Sequence, residues 1–124
     1  MPHWQDKNPT PEQIATLRSI KAIAVDIDGV MTDGGIIYGT AGMELKRFDC
    51  KDGLGVRLWL KAGYDFAVIT GRESVAVSER AHDFGLKYVY QKCGDKAEVL
   101  KRFSRESGVP LNEICVIGDD IIDI

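Results

Sequence analysis

Cysteine and histidine are scarce in this chain: three Cys and two His among 124 residues. Cys50, Cys93 and Cys115 are odd in number and share no C-x-x-C spacing, so neither a disulfide scaffold nor a zinc site is expected. A reducing compartment fits that usage. Long apolar runs are missing too, as is any signal-peptide pattern, and the expectation is a soluble, cytoplasmic protein with no membrane partner. No basic block occurs: Lys and Arg number 16 against 19 Asp and Glu, a net charge of -3, which argues against nucleic acid as a partner. Repeats and low-complexity tracts are absent. What is present, 44% hydrophobic and 28% charged residues, suits a single domain over residues 1–124 with a modest core.

The pattern alternates helix and strand. "TPEQIATLRSI" reads as a helix over 10–20, with Thr10 as N-cap, Pro11 at the first helical position and Gln13 completing a capping box. An apolar strand follows at 21–26. "GGIIYGTAGMELKRF" reads as a hairpin flap over 34–49, with Ile36, Ile37 and Tyr38 answered by alternating Met43, Leu45 and Phe48. "GLGVRLWLKAG" reads as a helix closed by Gly63. Strand "DFAVIT", helix "ESVAVSERAHDF" before Gly85, strand "KYVYQ", helix "DKAEVLKRFSRES" before Gly108 and strand "EICVIG" complete the series. Apolar strands alternating with amphipathic helices predict an α/β fold: a doubly wound, Rossmann-like parallel sheet with a small hairpin inserted after its first strand.

In such a sheet the loops at the carboxyl ends of the strands meet at one crevice. Those ends carry Asp26 and Asp28, then Thr70-Gly71-Arg72, then the 91–96 loop with Lys96, then Gly118-Asp119-Asp120. Carboxylates gathered at one edge cannot all ionise side by side without a cation. Oxygen ligands without clustered His or Cys suit a hard ion that keeps some water, such as Mg2+. Such an ion beside a lysine, a threonine hydroxyl and free backbone N–H groups is equipment for handling phosphate. Asp26 is then a candidate covalent nucleophile toward phosphorus. Asp28, two residues on, is placed to protonate a leaving alkoxide and later to activate water.

"DIDGVMTDG", "VITGR", Asp95-Lys96 and "IGDDIID" together resemble, in order and on the expected elements, the four motifs of the haloacid dehalogenase (HAD) superfamily. The stretch "DGGIIYGTAGMELKRFDCKDGLGVRLWLKAG" further resembles its subgroup without a large cap domain, the 3-deoxy-D-manno-octulosonate 8-phosphate (KDO 8-phosphate) phosphatases. The resemblance implies Asp26 as nucleophile and metal ligand and Asp28 as general acid/base, whose backbone carbonyl also ligates the metal. Asp119 would be the third protein ligand, supported by Asp120 and Asp123. Thr70 and the Gly71 amide would hold phosphate, and Lys96 would neutralise it. Asp28, Asp49, Cys50, Lys51, Asp52, Gly53, Arg57, Arg72 and Arg80 match positions lining the sugar-acid pocket, with Arg72 facing the substrate carboxylate.

The function so implied is magnesium-dependent hydrolysis of KDO 8-phosphate through an aspartyl-phosphate, in lipopolysaccharide precursor synthesis, by a homotetramer with the hairpin between subunits. A phosphatase for nine-carbon sialic-type acid 9-phosphates is the nearest alternative. From another class comes a non-catalytic oligomerisation module like the C-terminal domain of sialic acid cytidylyltransferases. Two departures stand out. The family's Asn-Val-Arg-Asp-Gly is "DCKDG" here, losing an arginine's bidentate geometry at Lys51. The relatives' further strand, helix and tail do not follow the fourth motif, so an open sheet edge is expected. More ordinary roles are assigned to Asp33 as a turn residue, to His3 and His82 as solvent-facing, and to the cysteines as small buried apolar residues.

Overall fold

The computed structural model describes residues 8–118. Its elements run α1 (Pro11–Ser19), β1 (Ala22–Val25), β2 (Ile37–Tyr38), β3 (Glu44–Leu45), α2 (Cys50–Lys61), β4 (Asp65–Ile69), α3 (Val75–Phe84), β5 (Tyr88–Tyr90), α4 (Lys96–Ser107) and β6 (Ile114–Ile117). Four strands form one parallel sheet in the order β5-β4-β1-β6, and β2 pairs antiparallel with β3 in a separate ribbon. The α/β parallel sheet and the small inserted hairpin are therefore as the sequence pattern predicts.

Alternation along the strands divides the core into two layers. Val25, Phe66 and Val68 face one way, packing with Val56 of α2 and Val77 and Phe84 of α3. Ala22, Ala24, Ala67 and Ile69 face the other way, against Phe103 of α4. Burial on both faces explains why β1 and β4 read as nearly continuous apolar runs. Phe103 is fully buried and tilts against the rings of Tyr88 and Tyr90 at centroid distances of 5.1 and 6.4 Å.

Local chemistry sets the helix ends. Thr10 and Gln13 form the expected capping box, and Asp95 caps α4 by accepting the N–H groups of Ala97 and Glu98. Gly85 and Gly108 end α3 and α4 in the left-handed conformation that glycine adopts without steric cost. Three expectations are corrected. Helix α2 starts three residues before Gly53, because Asp49 caps it by accepting the Lys51 N–H at 2.7 Å; Cys50 to Gly53 are its first turn and not a loop. The hairpin ladder has two residue pairs only, since a tight turn at Thr40–Gly42 takes up its middle. Cys50 is exposed, not buried.

β1 lies between β4 and β6, so the order of strands reverses beside it. The crevice of a doubly wound sheet opens at such a reversal, outside the carboxyl ends of the strands. Register brings Val25 level with Val68 of β4 and Ile117 of β6, so Asp26 leaves the sheet at that point. On the far side β6 is the outermost strand among the described residues, with Val116 and Ile117 48% and 44% exposed.

Candidate active site

Asp26 follows the last residue of β1, and its backbone N–H still joins the ladder by donating to the Ile117 carbonyl at 3.0 Å. Its carboxylate is 11% exposed; Oδ1 accepts the Ile27 N–H at 2.8 Å and lies 3.5 Å from Lys96 Nζ. Lys96 is the first residue of α4, where a cation opposes the helix dipole. Its side chain turns back to the strand tips and is only 19% exposed. The structure thus joins the proposed nucleophile to its proposed counter-charge across 70 residues of sequence.

Thr70 comes next along the rim, directly after β4, and is buried. Its N–H donates to the Tyr90 carbonyl and its own carbonyl accepts the Cys93 N–H, so the β4 and β5 tips are laced together. Its hydroxyl accepts the Arg72 N–H at 3.4 Å. Gly71 is exposed beside it. The loop after β1 is held from within by Thr32, whose Oγ1 accepts the N–H groups of Gly29 and Gly34 at 3.4 and 3.2 Å.

The hairpin supplies the largest surprise. Lys46 Nζ donates to Asp28 Oδ1 at 2.5 Å and lies 2.9 Å from Glu44 Oε1. Arg72 donates to Glu44 Oε2 at 3.0 Å and sits 3.8 Å from Asp28 Oδ2. Two cations and two carboxylates alternate around a closed ring joining the β1 loop, β3 and the β4–α3 loop. Hydrogen bonds from Lys46 and then Arg72 hold the Glu44 carboxyl below the usual range. Burial pulls the Lys46 ammonium down, yet its bonds to Asp28 and Glu44 leave it above the ordinary lysine value. Sequence reading passed over Glu44 and Lys46. The available signal was the strand period, which puts them on the opposite face of the ribbon from Met43 and Leu45.

The remaining candidates lie beside this cluster in a different role. Arg80 stacks on the rings of Phe84 and Phe48 at 4.3 and 5.5 Å, and Arg57 lies 6.0 Å from the Phe84 ring. Both guanidinium groups engage aromatic faces. Gly53 is buried where a Cβ would meet Arg80 Nη2 at 2.9 Å, so the start of α2 depends on its bare backbone. Asp49 caps that helix, while Lys51 and Asp52 are exposed on its first turn. Asp33 pairs with Arg47 at 2.8 Å on the surface, and His82 is exposed. Asp119, Asp120, Asp123 and His3 lie outside the described residues.

Metal fit follows from the donor set. Asp26, the Asp28 carbonyl and Thr70 offer hard oxygens, and burial pushes the Cys93 thiol up, away from thiolate ligation. Among the described residues no three acidic, His or Cys side chains cluster tightly enough to hold an ion alone. The oxygen donors at the β1 tip suit a hard cation completed by further oxygen ligands and water.

No family model matches the chain. Its relatives are nonetheless consistent. It is 36% identical to the 3-deoxy-D-manno-octulosonate 8-phosphate phosphatase of Yersinia pestis, over 85% of this chain and 56% of that protein. The phosphatase of the same name from Moraxella catarrhalis, solved with magnesium, phosphate and KDO, superposes with a TM-score of 0.84 at 38% identity, over 88% of this chain and 63% of that one. A HAD superfamily (subfamily III A) hydrolase from Legionella pneumophila gives 0.85 at 32% identity, covering 89% of this chain and 60% of that one. The chain belongs to the haloacid dehalogenase superfamily. Within that superfamily its resemblance is to the KDO 8-phosphate phosphatases, and it spans 56% to 58% of the length of the first curated relatives it matches.

Proposed function

We propose that this chain is a magnesium-dependent phosphatase of a sugar-acid phosphate, KDO 8-phosphate, releasing KDO and inorganic phosphate for lipopolysaccharide precursor synthesis. The observation that carries this reading is the Asp26–Lys96 pair at the β1 tip, 3.5 Å apart and largely shielded, with Thr70 and Arg72 on the neighbouring loop. Asp26, the Asp28 carbonyl and Asp119 would hold Mg2+, which would supply charge neutralisation for the phosphoryl group.

In the first step an Asp26 oxygen bonds to phosphorus as the ester P–O bond breaks, and the departing sugar alkoxide takes a proton from Asp28. Lys96, the Thr70 hydroxyl and the Gly71 N–H stabilise the charge spread over the phosphoryl oxygens. Water, giving its proton to Asp28, then attacks the aspartyl-phosphate. Inorganic phosphate leaves, and Asp26 and protonated Asp28 are restored. Arg72 binds the substrate carboxylate, while Asp49 to Gly53, Arg57 and Arg80 shape the far wall of the sugar pocket. An arginine after Thr70-Gly71 favours the eight-carbon acid over nine-carbon sialic-type substrates.

Phosphate release from KDO 8-phosphate tests this directly. Turnover should need Mg2+, stop with chelator, and fall by on the order of 10³ or more in Asp26→Asn. Release that persists in the variant or in chelator excludes the mechanism.

Assembly belongs to the same proposal. Ile36, Ile37, Tyr38, Met43 and Leu45 of the flap are all at least 46% exposed, a patch that a homotetramer covers. Light scattering that shows only monomers at high concentration rejects it. Stable tetramers without turnover favour the oligomerisation module instead. Among the described residues no helix is long and apolar enough to cross a membrane, and the free thiols of Cys50, Cys93 and Cys115 accord with cytoplasmic residence.

A further inference from the structure

Lys46 is an unusual residue to find on a short surface ribbon. Its side chain is 1% exposed, although the ladder carrying it has only two residue pairs. Burying an ammonium is costly unless it is paired, and an apolar side chain of similar size commonly packs at least as well. Stability of the hairpin alone is therefore a poor reason for a cation here. What the cation does is reach across 18 residues of sequence to one carboxylate.

The contacts of Lys46 differ in length. Asp28 Oδ1 receives a directed hydrogen bond at 2.5 Å. Glu44 Oε1 is a second, longer contact, 2.9 Å from Nζ and buried beside it. The other Asp28 oxygen, Oδ2, lies 3.8 Å from Arg72 Nε, beyond hydrogen-bond range. One oxygen of the proposed general acid/base is thus held by Lys46, while the other makes only a longer charge contact with Arg72.

We propose that Lys46 is a positioning residue for the reaction: it fixes the rotation of the Asp28 carboxylate through Oδ1, so that Oδ2 exchanges the proton with the ester oxygen and then with water. Glu44 keeps Lys46 in place while balancing Arg72. The inference rests on the phosphatase reading above. It assigns the hairpin a part in orienting the acid/base from within the same chain, apart from any covering of the pocket.

Leaving-group dependence separates this role from a structural one. A good leaving group such as p-nitrophenolate departs without a proton, whereas an alkoxide needs one. Lys46→Met is expected to slow release of the alcohol from phenyl and simple alkyl phosphates in a single turnover by roughly 10- to 100-fold, the scale of a small misplacement of a reacting group. Release of p-nitrophenolate in a single turnover, which precedes the water step, should fall by less than about threefold. Asp28→Asn should show the same selectivity more strongly. Equal loss across the series, or none, overturns the proposal and leaves the phosphatase reading standing.

A second measurement is independent of turnover. In the wild-type chain with Mg2+, the Lys46 ammonium should give a slowly exchanging nitrogen-15 NMR signal that disappears in Asp28→Asn. A missing signal in wild type, or one unchanged in the variant, also overturns the proposal. If the signal behaves as expected but no phosphate ester is hydrolysed, the phosphatase reading fails and the proposal falls with it.

Discussion

Arg72 illustrates how a single side chain divides its charge. Its guanidinium is 42% exposed and already meets Glu44 at 3.0 Å, so one side is occupied by protein and another is open to solvent. An incoming carboxylate meets a side chain whose orientation Glu44, Tyr38 and Asp28 already set. Arg72→Ala should reduce kcat/KM for KDO 8-phosphate by about 100-fold, the upper range for one charged hydrogen-bonded contact. Turnover of p-nitrophenyl phosphate, which has no carboxylate, should change by less than about threefold under the same reasoning. Asp26, Asp28, Thr70, Lys96 and Arg72 were legible in the sequence because each follows an apolar strand or opens a helix. Glu44 and Lys46 were not, since their partners stand 28 and 18 positions away and a local pattern carries no such distance.

At the scale of elements, the hairpin is tied to the sheet by charge more than by its own ladder, and that makes it sensitive to acid. Glu44 is held below its ordinary 4.5 by Lys46 and Arg72. A carboxyl depressed in the folded state contributes stability that is fully present above the unfolded value and is lost as pH falls through the lower folded one. Asp33, held down by the Gly35 N–H and by Arg47, adds an outer carboxylate with the same sign. Chemical shifts of Ile37 and Leu45 should accordingly stay constant from neutral pH down to about 5 and move on further acidification. Glu44→Gln should remove most of that movement. The start of α2 shows why boundaries were harder to read than elements. The helix reads in sequence as starting at Gly53, yet Asp49 caps it three residues earlier, and Gly53 lies buried in a crowded contact with Arg80 and Phe84.

For the molecule as a whole, the two-layer core was readable because parallel strands buried on both faces leave so few polar positions. Phe103 anchors the layer on the α4 side, where every strand residue of β1 is alanine. Phe103→Ala should cost about 3–5 kcal/mol, a large fraction of the stability of a domain this size, and should appear as a lower midpoint in urea denaturation with little change in slope. Those alanines set a clearance. Ala22, Ala24 and Ala67 present only methyl groups on the side where Phe103 of α4 packs, and the lysine at the first position of that helix reaches the aspartate at the strand tip. Bulkier residues there would lift the helix like a spacer under a hinge and draw that ammonium out of reach of a phosphoryl group, so the bulk of three methyls remote from the chemistry governs the alignment of the charge that serves it.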